Sequence, residues 1–296
     1  AHATVVELAD LLLERAAGGQ PPRPEGIGWI ARAVLDQGTA EEVPANRRAL
    51  GDEQAPMLAL IRNRVRALYG LDRKADAAGT LTRLLQTVAE SDLDEATELL
   101  FEAHRNEAWD VVIDLASESL ARSPSCAFAS WIRGAARGKT GALDDALDDL
   151  HRCLDAPPER RRGFEDAIHD SLAEVHVMRG EFGHALEHAD RALELAPTKI
   201  PSLELKARAL LSLGRMDDGC AVLENCIGRV DPGVGLNLAY LLYPLCEAER
   251  FDEALKFADD LLRLALRSTG TSLAPVRRMA RILLAGEPDG TRREAL

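Results

Sequence analysis

Apolar positions along the middle of this chain return at the spacing of helices, and the helices themselves return at a longer interval. The clearest copy is the stretch Gly180–Pro197: a turn glycine, a large ring at Phe182, a helix with small residues along one stripe, and a closing proline. A single helix of this kind cannot bury its stripe alone, so further copies are expected. Large apolar residues open helices at Trp109, Leu143, Phe182, Met216 and Phe251, at intervals of 34, 39, 34 and 35 residues. Three residues after each opener stands a small or slim residue: Val112, Ala146, Ala185, Gly219 and Ala254. Four further on is another apolar one: Ala116, Leu150, Ala189, Leu223 and Ala258. Asp110, Asp144, Asp217 and Asp252 follow their openers, where a carboxylate meets orphan N–H groups and the positive helix end; Gly183 replaces it in the third copy. Pro124, Pro157, Pro197 and Pro232 fall where the helices should stop.

Each of these helices is preceded by another, with a small residue at Gly134, Ala173 and Ala207 where the two would cross; Leu100 and Leu242 depart from this. A helix–turn–helix of about 34 residues with small crossing residues resembles the tetratricopeptide repeat family. The resemblance covers residues 93–268, as five repeats. The 39-residue interval reads as one repeat with five residues inserted in the loop Pro157–Gly163. It implies an all-α chain folded as a right-handed α-solenoid, whose first helices line a concave side used for binding. Carried over in register, that side takes Phe101, His104, Phe128, Trp131, Asp170, Glu174, Val177, Met178, Glu204, Arg208, Tyr240 and Tyr243. Tyr and Trp are favoured interface anchors, although Trp131 and Tyr240 are equally placed to be core between repeats. The family's best-known peptide mode clamps a C-terminal carboxylate with lysine, asparagine and arginine. The matching positions here are Thr97, Phe101, Ile132, Ala167 and Ser171, so that clamp is not expected.

The flanks are less regular. Residues 4–17 read as an amphipathic helix with Val5, Leu8, Leu12 and Leu13 on its apolar side, and Glu7, Asp10 and Glu14 elsewhere. Residues 1–50 form an N-terminal helical cap or arm, and the apolar side of 4–17 allows a homodimer as readily as an internal cap. Residues 51–92 hold a helix pair with Gly70 at its turn, either a degenerate repeat or not one. Residues 269–296 carry a C-terminal capping helix, with Val276, Met279, Ile282, Leu283 and Leu284 inward, and a frayed tail. Repeat arrays need such covers, because a terminal repeat otherwise exposes an apolar face.

Composition narrows the functional classes. The 296 residues carry a net charge of −13, which disfavours a broad nucleic-acid footprint and an anionic membrane surface. With 4% aromatics, the core must be mostly Leu, Ala and Val. Cys126, Cys153, Cys220, Cys226 and Cys246 are odd in number and lack metal-like or redox-like spacing, so they read as reduced packing residues of a cytoplasmic protein. No secretory signal and no run of 18 apolar residues is visible, in a sequence that begins at Ala1.

Four stretches imitate chemistry. His184-Ala185-Leu186-Glu187-His188 matches an inverted zinc-protease motif, but Ala185 and Ala189 are the repeat's own small residues, which makes the histidines solvated and the metal complement none. Gly134–Thr140 is like a phosphate loop with one residue too few between its glycines and no strand before it. Asp144, Asp145, Asp148 and Asp149 read as an outward, solvated acidic face, and Arg160–Arg162 as a basic knuckle in the inserted loop. No catalytic constellation emerges and no cofactor is expected. The reading is a non-catalytic scaffold binding a protein or peptide with apolar anchors and basic flanks; the alternative is a regulatory or sensor module of a larger assembly.

Overall fold

The computed structural model describes residues 2–3, 5–7, 9–10, 54–89, 92–227, 245 and 250–266, without the side chains of 54–56, 226–227 and 261–266. Tyr240, Tyr243, Pro232, Leu242 and Cys246, the helix expected near 27–35 and the C-terminal capping helix lie outside the described residues. The fold is all-α, with no β-strand among the described residues. The chain divides into two compact units, Ala1–Arg162 and Gly163–Leu296. The division falls in the inserted stretch that makes one interval 39 residues long.

The first unit contains α1 (Gln54–Gly70), α2 (Lys74–Thr87), α3 (Leu93–Thr97), α4 (Leu100–Arg105), α5 (Trp109–Arg122), α6 (Ala127–Thr140), α7 (Leu143–Leu154) and the short α8 (Pro158–Arg161). The second contains α9 (Glu165–Arg179), α10 (Phe182–Leu195), α11 (Ile200–Ser212), α12 (Met216–Ile227) and α13 (Phe251–Leu266). Trp109, Leu143, Phe182, Met216 and Phe251 are each the first residue of a helix.

One turn recurs among the described residues. The backbone N–H just past the bend reaches back five residues to a carbonyl: Arg73 to Leu68 (2.9 Å), Ala108 to Ala103 (3.0 Å), Ala142 to Arg137 (3.0 Å), Glu181 to His176 (2.9 Å), Arg215 to Leu210 (2.9 Å) and Arg250 to Leu245 (2.8 Å). This bond satisfies a helix-end carbonyl and needs a left-handed residue just before its donor. Among the described residues these are Asp72 (φ 58°), Glu107 (φ 58°), Gly141 (φ 87°), Gly180 (φ 75°) and Gly214 (φ 75°). The turn therefore recurs every 35, 34, 39, 34 and 35 residues along the donors, and the α1–α2 hairpin shares it.

Small residues let the paired helices close. A Cβ at Gly134 would stand 2.9 Å from Leu150 Cγ and 3.1 Å from the Ala146 carbonyl oxygen, and one at Gly219 would stand 2.6 Å from Leu211 Cδ2. In the second unit Ala173, Val177, Ala185, Ala189, Leu205 and Ala209 form a buried core, with Phe182 and Leu186 partly buried against it. Where the crossing residue is Leu100 rather than a small one, the first helix is broken into α3 and α4 around Glu98 and Leu99.

Polar side chains tie the hairpins of the first unit together. Arg66 on α1 grips both carboxylate oxygens of Glu102 on α4, at 2.5 and 3.2 Å. Arg122 on α5 donates to the carbonyls of Leu85 and, at 2.7 Å, Val88 past the end of α2. Asp149 on α7 corrects the expectation of an outward acidic face. It is 1% exposed, while Asp144, Asp145 and Asp148 are exposed. Arg133 on α6 binds it through two bonds of 2.8 and 2.6 Å and Arg137 through a third of 2.7 Å; Arg133 also donates to Ser117 on α5 at 3.1 Å. A carboxylate can leave water here because two guanidinium groups replace it.

Two further details differ from the sequence expectation. In the first ten residues Val6 and Ala9 are buried while Val5 is 39% exposed, and Asp10 accepts from Arg64 Nε at 2.6 Å. The inward face of that segment is one residue out of step with the expected one. The inserted stretch is a short helix rather than a loop, and its Arg160 donates to the carbonyl of Ser125 at 3.0 Å and to its hydroxyl at 2.7 Å.

Candidate functional site

The proposed binding residues of the first unit come together. α4 supplies Phe101 and His104, and α6 supplies Phe128 and Trp131. Phe101 stacks on Trp131 with ring centroids 6.0 Å apart and on His104 at 6.0 Å; Phe128 meets Trp131 edge-on at 5.0 Å. Trp109, the first residue of α5, joins them edge-on against His104 at 4.8 Å. Sequence periodicity assigned Trp109 to the repeat frame, and nothing in its spacing signalled this contact. Phe101 is 39% exposed, Phe128 half-buried and Trp131 only 6% exposed, so Trp131 is the floor and the two phenylalanines are the open surface. His104 Nε2 is enclosed without a hydrogen-bond partner. Burial, and then the positive charge of Lys139, hold its pKa down to about 4, so it enters the aromatic layer as a neutral ring.

The residues named in the second unit have mixed fates. Met178 on α9 is 44% exposed, and Glu174 on α9 and Arg208 on α11 are half-buried and engaged with neighbours. Val177 is 5% exposed and belongs to the core, not to a lining. Asp170 is tied down by Ser202, which donates to it at 2.6 Å, and by the Lys199 ammonium at 2.7 Å. Burial pushes its carboxyl upward, against the pull of those two donors. Tyr240 and Tyr243 lie outside the described residues.

His188 overturns the expectation of two solvated histidines. His184 is exposed, but His188 is half-buried and its Nδ1 stands 3.1 Å from Nδ1 of His169 on α9. His176, also on α9, stacks parallel to His188 at 5.4 Å, 6° from coplanar, and lies 5.3 Å from His184. The i, i+4 pair on α10 is plain in the sequence; its partners are i, i+7 on α9 and so also share one face, which sequence alone did not connect to it. Among the described residues no group of three or more His, Cys, Asp or Glu is arranged to hold a metal ion. The phosphate-loop look-alike Gly134–Thr140 lies wholly within α6.

Cys126, Cys153 and Cys220 are free thiols; the first two are buried, which pushes both up to about 12. Among the described residues no helix is long and apolar enough to cross a membrane.

The crossing residues Leu100, Gly134, Ala173 and Ala207 are all buried, and each stands seven residues before its left-handed residue at 107, 141, 180 or 214. That is one frame repeated on a period of 34 residues plus the insert. In period and in the register of their crossing residues these hairpins resemble tetratricopeptide repeats. No protein-family model and no curated protein matches the chain. Solved structures that it resembles include a thermophilic TPR protein of Thermus thermophilus, 21% identical over 66% of this chain and 100% of that one, TM-score 0.49. Others are YrrB, described as a TPR protein with an unusual peptide-binding site (16%, 69% and 99%, 0.46), and the C-terminal part of a TPR repeat-containing protein from Cytophaga hutchinsonii (14%, 89% and 96%, 0.47). In the repeat frame Phe101, Glu174 and Arg208 are equivalent, each one residue past the crossing position.

Proposed function

We propose that this chain is a non-catalytic, cytoplasmic scaffold that binds a protein or peptide on the first-helix side of its repeats. The observation that carries the reading is the aromatic layer of Phe101, His104, Phe128 and Trp131: a rigid floor with open phenylalanine edges, the kind of surface that anchors an apolar side chain. Several positions of the carboxylate clamp support a different mode of recognition. Thr97 and Ile132 are fully buried, Phe101 is apolar, and Ala167 and Ser171 carry no positive charge. A helix or extended segment with apolar anchors and basic flanks suits both this surface and a chain of net charge −13. The free, buried thiols support a reducing compartment.

The test is selection of peptides from a random display library on the immobilised full chain, followed by titration of the selected peptides against the Phe101→Ala, Phe128→Ala double variant. Two anchors of hot-spot rank make the expected loss at least about ten-fold in affinity, with helicity unchanged. Peptides that bind the double variant as tightly as the parent chain would refute the assignment. The alternative, a regulatory or sensor module, draws support from the histidine column of α9 and α10.

A further inference from the structure

The contact between His169 and His188 admits a limited number of protons. Two ring nitrogens 3.1 Å apart are hydrogen-bonded, so at least one of them must offer a lone pair. The neutral pair meets this condition, with one Nδ1–H donating to the other Nδ1. The singly protonated pair meets it better, because the bond becomes charge-assisted. The doubly protonated pair cannot meet it: both nitrogens are donors, and two cations face each other with ring centroids 5.3 Å apart.

The charged groups around the pair are themselves engaged with partners. His176 Nδ1 is hydrogen-bonded to the Glu181 carboxylate at 2.7 Å, and its ring stacks parallel on His188. Arg179 donates to the same carboxylate at 2.9 Å and competes for it. His184, one step further along, has Glu187 at 3.5 Å. Of the other charged groups on α9, α10 and α11, Asp166 and Asp170 are held by Lys199, and Asp190 is held by Lys206 at 2.6 Å. Arg191 is paired with Glu194 on the exposed side of α10, and Glu165 at the start of α9 is engaged with a neighbour. Glu174, Glu204 and Arg208 complete the set and are themselves engaged.

We propose that the column His169–His188–His176–His184 is a proton-operated latch on the α9–α10 hairpin, closed when the first pair holds at most one extra proton and released when it takes the second. In the unfolded hairpin both rings of the His169–His188 pair bind a proton near the ordinary histidine value of about 6.5, whereas the folded pair resists the second. Below that pH the unfolded state holds more protons, so the hairpin's stability falls as pH falls and recovers as pH rises. α9 also carries Glu174 and Met178, so under the binding reading acid would weaken that part of the surface. The latch itself needs no partner, and its test uses none.

The experiment uses the full chain. Amide hydrogen exchange of α9 and α10 is measured at pH 7.5 and 5.0, corrected for intrinsic rate, beside histidine-ring NMR titration over the same range. The expected result is at least a ten-fold rise in the α9–α10 opening constant at pH 5.0 relative to that of α12. The His188→Gln variant keeps an uncharged hydrogen-bonding group and should show less than a three-fold rise. In the parent chain, His169 and His188 should titrate as a coupled pair with one step below the ordinary range. An equal rise in His188→Gln, or two rings titrating independently at ordinary values, would overturn the proposal. Should His188→Gln fail to fold, His169→Gln serves the same comparison, and the ring titration of the parent chain decides the question by itself.

Discussion

Glu107 holds the left-handed turn position that glycine holds at 141, 180 and 214, and replacing it measures what that conformation costs. A side chain in the left-handed region costs roughly 1–2 kcal/mol through the clash of Cβ with the neighbouring carbonyl. Glu107→Gly removes this cost but loosens the unfolded chain by about 0.4–1 kcal/mol. The net expectation is a gain of about 0.5–1 kcal/mol. Gly180→Ala should lose a similar amount, and that loss is purely conformational, because nothing lies within 4 Å of where its Cβ would sit. The assay is urea denaturation followed by tryptophan fluorescence, in which Trp109, two residues on from Glu107, and Trp131 report on the first unit. With a slope typical of small domains, the midpoint should rise by about 0.3–0.5 M for Glu107→Gly, at unchanged slope. Glu107→Ala is the control: it keeps Cβ and should move the midpoint little. If alanine stabilised as much as glycine, or glycine destabilised, the turn would not be under the strain inferred here.

Three further outcomes are expected. Asp149→Ala should cost about 3–5 kcal/mol in the same denaturation assay, since it leaves Arg133 and Arg137 facing each other without their shared carboxylate. His104 is held near 4 in the folded chain against about 6.5 unfolded, so the first unit should lose stability as pH falls from 6.5 toward 4, by about 3 kcal/mol in total, and His104→Phe should flatten that slope as read by tryptophan fluorescence. Cys126 and Cys153 should resist a thiol reagent at pH 8 in the folded chain and react promptly in urea, with peptide mapping locating the label.

The repeat frame was legible because it rests on residues close in sequence. The openers at 109, 143, 182, 216 and 251 begin helices to the residue, since a large ring after a turn and a small residue three further on is a local pattern. The turn expected at Gly70 lies two residues on for the same reason in reverse: Gly70 ends α1, and Asp72 does the work of a glycine with a residue type that gives no warning. The missed contacts join residues on different helices. Asp149 has the spacing of a solvated face, and its partner Arg133, 16 residues earlier on α6, makes it interior. His188 looked exposed until His169 and His176 on α9 were placed beside it. Of the proposed binding surface, the identity of Phe101, His104, Phe128 and Trp131 followed from register, whereas the division into floor and open edge required side-chain packing.

The reach-back bond that closes each hairpin spans five residues, and this bears on how the polypeptide is made. A segment can complete its bend as soon as those few residues have left the ribosome, without waiting for distant sequence. The α1–α2 bend closes through Arg73 and Leu68, so it can form before Trp109 has been translated, and each later bend can then dock onto one already set. Biosynthesis from the N-terminus and assembly of the array thus run in the same direction, with little unfolded chain exposed at any moment.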